Sequence, residues 1–120
     1  MPKASKATAS ERLEVEGYEG HMEELGGYTV AFETYTADAD LSPFFVGLPD
    51  DRCQCPHWGY VINGSIKMHT GDGEHVYEAG QAFYWAPGHA PEALEDSDYV
   101  DFSPTQELDE VIDHITSQGS

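Results

Sequence analysis

A chain of 120 residues fits one domain with its own apolar core, and its two cysteines are too few for a disulfide scaffold. The 23 acidic side chains outnumber 5 basic ones and give a formal net charge of −18, which would repel nucleic acid and an anionic membrane. The sequence has neither an apolar run long enough to cross a bilayer nor the apolar centre of a secretory signal, so we expect a cytoplasmic protein with reduced thiols.

The beginning of the chain predicts no regular structure. Residues 1–17 are small, polar and charged, and they show no apolar periodicity that could offset the entropy lost on ordering. We therefore expect a flexible tail over residues 1–17, followed by a single domain over residues 18–116.

From Tyr28 onward, short apolar and aromatic runs alternate with turn residues. The runs are rich in β-branched and aromatic side chains, and Asn63-Gly64 between two of them is a strong hairpin signal. Many short strands at this spacing predict an antiparallel sandwich or barrel over about 28–102. The predicted strands cover residues 28–35, 44–46, 58–62, 66–69, 75–78, 82–85 and 99–102.

The end of the chain predicts a helix over about 104–116. Ser103 is a suitable N-cap, Pro104 suits the first helical position, and Gln106 stands where a capping box places Glu or Gln. An apolar stripe follows at helical spacing, and we expect it to lie on the sheet or on a partner subunit. The stripe consists of Leu108, Val111, Ile112 and Ile115.

The segment Cys53-Gln54-Cys55-Pro56-His57 carries the strongest chemical signal. Alternate residues of a strand face the same side, so Cys53, Cys55 and His57 would converge if the segment were extended. Two sulfurs and an imidazole around one point indicate a metal site. The alternatives are a disulfide, which would close a strained ring across one residue, and buried structural thiols.

Because of this segment and the regular spacing of its predicted short strands, the chain resembles a small single-domain cupin. The first cupin signature, G-x5-H-x-H-x3,4-E-x6-G, is similar to the spacing from Gly47 through Cys53, Cys55 and His57 to Gly64. In this alignment the two cysteines replace the histidines, and His57 replaces the glutamate. The gap between the second and third ligand positions has shrunk to one residue.

The second signature, G-x5-P-x-G-x2-H-x3-N, is similar to the segment from Gly80 to Gly88. Its histidine position holds Pro91, and His89 lies two residues earlier. The resemblance implies an all-β double-stranded β-helix, or jelly-roll barrel, with His89 as a further ligand of a metal inside it. It also implies a homodimer.

The predicted ligands Cys53, Cys55, His57 and His89 would form a tetrahedral set that favours zinc among divalent metals. Four protein ligands are typical of a non-catalytic structural or ligand-sensing module. Three ligands and an open position are typical of a site that binds or converts a small organic molecule. Both hypotheses stay open here, so whether the protein is an enzyme is undecided, and a metal-free barrel with reduced cysteines is the third.

Aromatic side chains in residues 82–85 would either line the barrel or cover its outside. On a strand, Phe83 and Trp85 face one side, and Ala82 and Tyr84 face the other. The sequence does not determine which pair faces inward.

Overall fold

The computed structural model describes residues 1–118 and contains, within them, nine strands and one α-helix. Two short 3-10 helices, Ser42–Phe45 and Pro49–Asp51, precede the fourth strand. The strands are β1 (Glu11–Val15), β2 (Tyr18–Leu25), β3 (Tyr28–Tyr35), β4 (His57–Asn63), β5 (Ser65–Thr70), β6 (Gly73–Glu78), β7 (Ala82–Trp85), β8 (His89–Ala93) and β9 (Ser97–Pro104), and the helix is α1 (Thr105–Gln118).

The strands form two antiparallel sheets that enclose one core. The larger sheet has the order β1-β2-β3-β9-β4-β7, and the smaller has the order β6-β5-β8. Val61 of the larger sheet and Ile66 and Met68 of the smaller sheet are fully buried in the same cluster. The predicted all-β architecture with a C-terminal helix is confirmed.

The Asn63-Gly64 turn moves the chain from one sheet to the other. Strand β4 pairs with β7 and β9, whereas β5 pairs with β6 and β8, so the predicted hairpin is wrong. Gly64 has a φ of +85°, and a Cβ there would lie 2.2 Å from Ser97 Oγ. Only glycine fits this crossing, because the backbone conformation and the close approach both exclude a side chain.

Two predicted elements differ from the structure near the beginning of the chain. Strand β1 falls within residues 1–17, where we expected a flexible tail, and it pairs with β2 from Glu11↔Met22 to Val15↔Tyr18. Its two apolar side chains, Leu13 and Val15, pack against the core, and pairing with β2 satisfies its backbone. Residues 44–46 were predicted as a strand, but Phe44 and Phe45 follow Pro43 in a 3-10 helix and Val46 is its C-cap, because proline suits the first turn of a helix.

Helix α1 begins at Thr105, one residue after the predicted start, because β9 continues through Pro104. Val111 is buried, and Leu108 and Ile115 pack against the same core. The apolar stripe therefore lies on the protein's own barrel. No helix within residues 1–118 has both the length and the apolar character that a membrane span requires.

The aromatic alternation on β7 is now settled. Phe83 and Trp85 are buried inside the barrel with ring centroids 3.6 Å apart, and Tyr84 is 51% exposed on the outside. Trp85 lies next to the two histidines described below.

Candidate metal centre

Three side chains from separate parts of the chain meet inside the barrel. The ligand atoms of Cys53, His57 and His89 all lie within 4.8 Å of one another, and all three residues are buried. Cys53 N–H donates to His89 O at 2.8 Å, and His89 N–H donates to Cys53 O at 3.2 Å. This isolated β-bridge holds the loop residue Cys53 against the start of β8, while His57 is the first residue of β4.

Cys55 lies outside this group, although the sequence pattern placed it with the other two. The strand alternation begins only at His57, because residues 54–56 lie outside any strand and the chain bends at Cys55. The Cys55 thiol is fully buried and donates to Pro56 O at 3.5 Å. The structure thus brings together three of the four predicted ligands, and both cysteines are free thiols.

Hydrogen bonds to Nδ1 orient both imidazoles. His89 Nδ1 lies 2.6 Å from Ala86 O, which can only accept, so Nδ1 carries the proton and Nε2 keeps its lone pair. His57 Nδ1 lies 2.5 Å from Ser103 Oγ and 3.5 Å from Asp101 Oδ2. With the proton on that nitrogen, its Nε2 accepts from Cys53 Sγ at 3.7 Å. Histidines that bind metals are held in this way by a partner on the other nitrogen.

Burial keeps these three groups uncharged at neutral pH. It lowers the pKa of His57 well below the ordinary value, with a further decrease from neighbouring His89, and it lowers the pKa of His89 to about 4. Burial also raises the pKa of the Cys53 thiol to about 12. Two neutral imidazoles and a thiol that a cation can deprotonate are a donor set suited to zinc.

A second polar cluster, which the sequence reasoning missed, lies beside the first. Tyr18 donates to the carboxylate of Glu33, and the hydroxyls of Tyr35 and Tyr99 are hydrogen bonded at 2.8 Å. Asp101 is 2% exposed, and its Oδ1 has no hydrogen-bond partner among the described residues. The parity of β3 and β9 is the signal that could have revealed the cluster, since Glu33 shares a face with buried Tyr35, and Asp101 with buried Tyr99.

The two carboxyl groups in this cluster hold protons more strongly than ordinary carboxyls do. Burial raises the pKa of Glu33, although hydrogen bonds from Asp101, Tyr18 and Tyr99 oppose the shift. Burial, followed by the negative charge of Glu33, raises the pKa of Asp101 well above its usual range. The barrel therefore contains paired carboxyls of the kind used for proton transfer.

A cavity of about 60 Å³ lies next to both clusters. It has room for roughly four to six water molecules, at about 10–15 Å³ for each. Leu108 and Ile115 of α1 form part of its wall. Its described lining includes neither lysine nor arginine. The polar side chains that line it are Tyr18, Glu33, Tyr35, His57, His89 and Tyr99.

Comparison with known proteins identifies the fold. No protein-family model matches the chain, and no curated protein matches it. Among solved structures, KdgF from Halomonas sp. is 24% identical over 78% of this chain and 86% of its own, with a TM-score of 0.57. An RmlC-like cupin from Shewanella frigidimarina is 16% identical over 78% of this chain and 83% of its own, with a TM-score of 0.57. Ectoine synthase from P. lautus is 10% identical over 87% of this chain and 78% of its own, with a TM-score of 0.64.

Cupins are thus among the structural neighbours, and the molecule has the jelly-roll barrel fold that the sequence resemblance implied. At these identities the likeness concerns the fold alone. The cluster of Cys53, His57 and His89 is a feature of this chain, and its chemistry has to be argued from its own atoms.

Proposed function

We propose that this protein is a metal-binding cupin-fold protein that binds or converts a small organic molecule at the metal. The ligands are Cys53, His57 and His89, and the metal is zinc. The observation that carries the proposal is the shared orientation of these donors. Both imidazoles are anchored through Nδ1, which leaves an Nε2 lone pair on each ring close to one buried thiol.

Three protein ligands leave a position open for an exogenous molecule. A closed shell would need a fourth donor, and Cys55, the predicted candidate, lies outside the group. The cavity lined by His57 and His89 is the place from which a ligand would approach. Bound zinc supplies Lewis-acid chemistry, polarising a ligand oxygen or lowering the pKa of a bound water.

The remaining polar groups have separate tasks in this proposal. Ser103 and Asp101 orient His57 through Nδ1. Glu33 lines the cavity, and its raised pKa lets it hold a proton or hydrogen bond a polar ligand group. A lining with a carboxyl and three tyrosine hydroxyls but no lysine or arginine among its described residues favours a small uncharged or cationic molecule over an anion.

A structural zinc site is the second candidate. The cavity of about 60 Å³ is small compared with the ~300–1,000 Å³ of ordinary ligand pockets. In that case zinc would connect the Cys53 loop to β4 and β8 and stabilise the barrel. Both candidates require a reduced thiol, which is consistent with a cytoplasmic location.

Two matched cysteine variants test the ligand set. Protein purified without an affinity tag should contain about one zinc per chain by elemental analysis. Cys53→Ser and His89→Ala should lose most of this metal, because each removes one of only three ligands, whereas Cys55→Ser should retain it. Metal retained by Cys53→Ser and lost by Cys55→Ser would show that the wrong cysteine has been assigned.

A cobalt-substituted protein separates the two candidates. Imidazole, a small uncharged ligand, should shift the visible spectrum of bound cobalt if one coordination position is open. A spectrum that stays unchanged at saturating imidazole would favour the structural site.

A further inference from the structure

Part of the cavity lining is a continuous wall of aromatic rings. The ring centroid of Tyr35 lies 5.1 Å from that of Tyr18 and 5.5 Å from that of Tyr99, and the centroids of Tyr99 and Trp85 are 5.0 Å apart. All four residues line the cavity, and we call them the aromatic wall. The face of an aromatic ring carries negative electrostatic potential and attracts cations. Such rings are ordinary core filling on their own, so the polar group beside them decides what the wall can bind.

That polar group is the carboxyl of Glu33. It is the one carboxyl among the described residues that line the cavity, and it accepts a hydrogen bond from the Tyr18 hydroxyl. Gly20 on the neighbouring strand makes this contact possible, because a Cβ there would lie 2.5 Å from the hydroxyl oxygen of Tyr18. The missing side chain at Gly20 thus lets the aromatic wall and the carboxyl meet.

Glu33 has no positively charged partner within residues 1–118. The ion pairs found in this part of the chain do not include it. Its hydrogen-bond partners are Asp101, Tyr18 and Tyr99, none of which is a cation. Oδ1 of neighbouring Asp101 is buried and lacks a hydrogen-bond partner among the described residues. A carboxylate removed from water is normally paired with a cation, so this side of the cavity suits a ligand that brings positive charge.

We propose that the cavity binds a small alkylammonium ion, with its charged nitrogen between Glu33 and the aromatic wall. The ring faces and the carboxylate both attract this charge, and aromatic cages are a recurring means of recognising ammonium groups. An anion would be repelled by Glu33, and an uncharged ligand would leave the carboxylate unpaired. The inference rests on the proposed function only in assigning the cavity to a small organic ligand.

The size and the remaining lining of the cavity fit such an ion. A volume of about 60 Å³ holds about four to six non-hydrogen atoms if each takes the space of one water molecule, which is the size of tetramethylammonium. Apolar side chains that can contact alkyl groups also line the cavity, namely Leu13, Val15, Leu108 and Ile115. An ammonium nitrogen has no lone pair for a metal, so a ligand that also reaches the metal needs an oxygen at its other end.

Isothermal titration calorimetry with three probes tests the charge preference. Tetramethylammonium and tert-butanol have nearly the same shape but differ in charge, and acetate has the opposite charge. We expect tetramethylammonium to bind about 10-fold more tightly than tert-butanol or better, because attraction to the rings and the carboxylate acts on the cation alone. Equal affinities for these two probes, tighter binding of acetate, or no binding of tetramethylammonium at about 50 mM would overturn the proposal.

Two glutamate variants locate the binding site. Glu33→Gln should weaken tetramethylammonium binding about 10-fold or more, because it removes the charge that faces the ion. Glu24→Gln removes the same charge from an exposed position on β2 and should change the affinity by less than about 2-fold. Equal weakening in both variants would mean that the ion is attracted to the acidic surface, contrary to the proposal.

Nuclear magnetic resonance of the wild type gives a test that needs no variant. Methyl protons of bound tetramethylammonium should show nuclear Overhauser effects to the rings of buried Tyr18, Tyr35 and Tyr99. Effects confined to the exposed rings of Tyr60 and Tyr84 would place the ion outside the barrel and contradict the proposal.

Elemental analysis separates this inference from the metal assignment, since the titrations can be run on zinc-containing and on chelator-treated protein. Protein that lacks zinc as purified but binds tetramethylammonium through Glu33 would support the inference and contradict the metal assignment. Protein that contains zinc and prefers tert-butanol would contradict the inference and leave the metal assignment standing.

Discussion

The inner and outer faces of the larger sheet each carry side chains that are unusual for their position. Toward the barrel interior, β3 and β9 present Glu33 and Asp101, while Trp58 of β4 and Phe102 of β9 are exposed on the outside. An antiparallel sheet with one solvated face normally buries its apolar side and exposes its polar side. The two buried carboxyl groups and the exposed aromatic side chains both depart from that pattern, although the rest of the inner face, including Val61, Phe83 and Trp85, is apolar.

The inner face loses stability through this arrangement. Trp85 Nε1 and Asp101 Oδ1 are buried without a hydrogen-bond partner among the described residues. Each unsatisfied buried group costs about 1–3 kcal/mol of folding free energy. A barrel selected only for stability would carry an apolar side chain in place of Asp101, so we interpret the second polar cluster as functional.

The largest predicted effect tests how tightly the inner face is packed. A Cβ at Gly59 would lie 2.3 Å from Val100 O and 2.5 Å from Phe83 Cζ, so Gly59→Ala should lower the free energy of unfolding by about 3 kcal/mol or more. Gly71→Ala is the control, because its nearest neighbour is the flexible Arg52 side chain at 3.6 Å, and it should change stability by less than about 1 kcal/mol. Urea unfolding measures both. Equal effects would mean that the inner face has room that the structure lacks.

The second prediction concerns acid stability of the metal-free protein. Burial lowers the pKa of His89 from 6.5 to about 4 in the folded protein. As the pH falls, the unfolded chain therefore binds a proton at this residue before the folded protein does. The free energy of unfolding decreases as the pH falls below about 6.5. Between pH 7 and 5 the expected loss from this residue is about 2 kcal/mol.

A chelator-treated His89→Gln variant should lack that loss when urea unfolding is measured at both pH values. His75→Gln, at an exposed histidine on β6, should follow the wild type. Parallel curves for wild type and His89→Gln would contradict the assignment of a neutral buried His89.

The third prediction has the opposite sign. Burial raises the pKa of Glu33, so the folded protein keeps a proton that the unfolded chain has released, and stability falls as the pH rises from about 4.5 through the folded value. Glu33→Gln should flatten this decline in urea unfolding between pH 5 and 8, whereas Glu24→Gln, at an exposed carboxyl, should not. We expect a smaller effect than for His89, because Glu33 is only half-buried and hydrogen bonds oppose its shift. An unchanged slope in Glu33→Gln would place this carboxyl in a solvated environment.

The smallest effect is expected at an exposed position on the outside of the larger sheet. Ile62→Thr replaces an exposed side chain, and it should change the free energy of unfolding by about 0.5 kcal/mol or less. Val61→Thr, its neighbour on the buried side, should cost several times more. If the two variants were equally destabilising, Ile62 would be as deeply buried as Val61.

Strand prediction succeeded where side-chain type and pattern agreed. The interval 28–35 matches β3, and 82–85 matches β7, because both are dense in aromatic and β-branched residues. Strands β2 and β8 were missed. Alternating acidic residues obscure the buried face of β2, and Pro91 and Glu92 give β8 a low strand propensity.

Prediction of the site was limited by a local bend at Cys55 and by long-range pairing. Alternation predicted that Cys55 would join Cys53 and His57, but the strand starts too late for that rule to apply. His89 was predicted as a ligand from the cupin resemblance. Only its β-bridge to Cys53 shows how it comes to lie beside Cys53 and His57. Glu33 and Asp101 meet because β3 pairs with β9 across more than 60 residues, a register that one sequence does not reveal. The assignment of these residues to a metal stays a prediction.

The two tryptophans of the chain lie on opposite sides of the same sheet. Trp85 is 2% exposed and packs beside both candidate histidine ligands, whereas Trp58 is 43% exposed. Intrinsic fluorescence therefore has two separable emitters, the blue emission of buried Trp85, which a transition ion bound by the histidines should quench, and the red emission of exposed Trp58. A metal titration should dim the first and leave the second as an internal reference within the same sample.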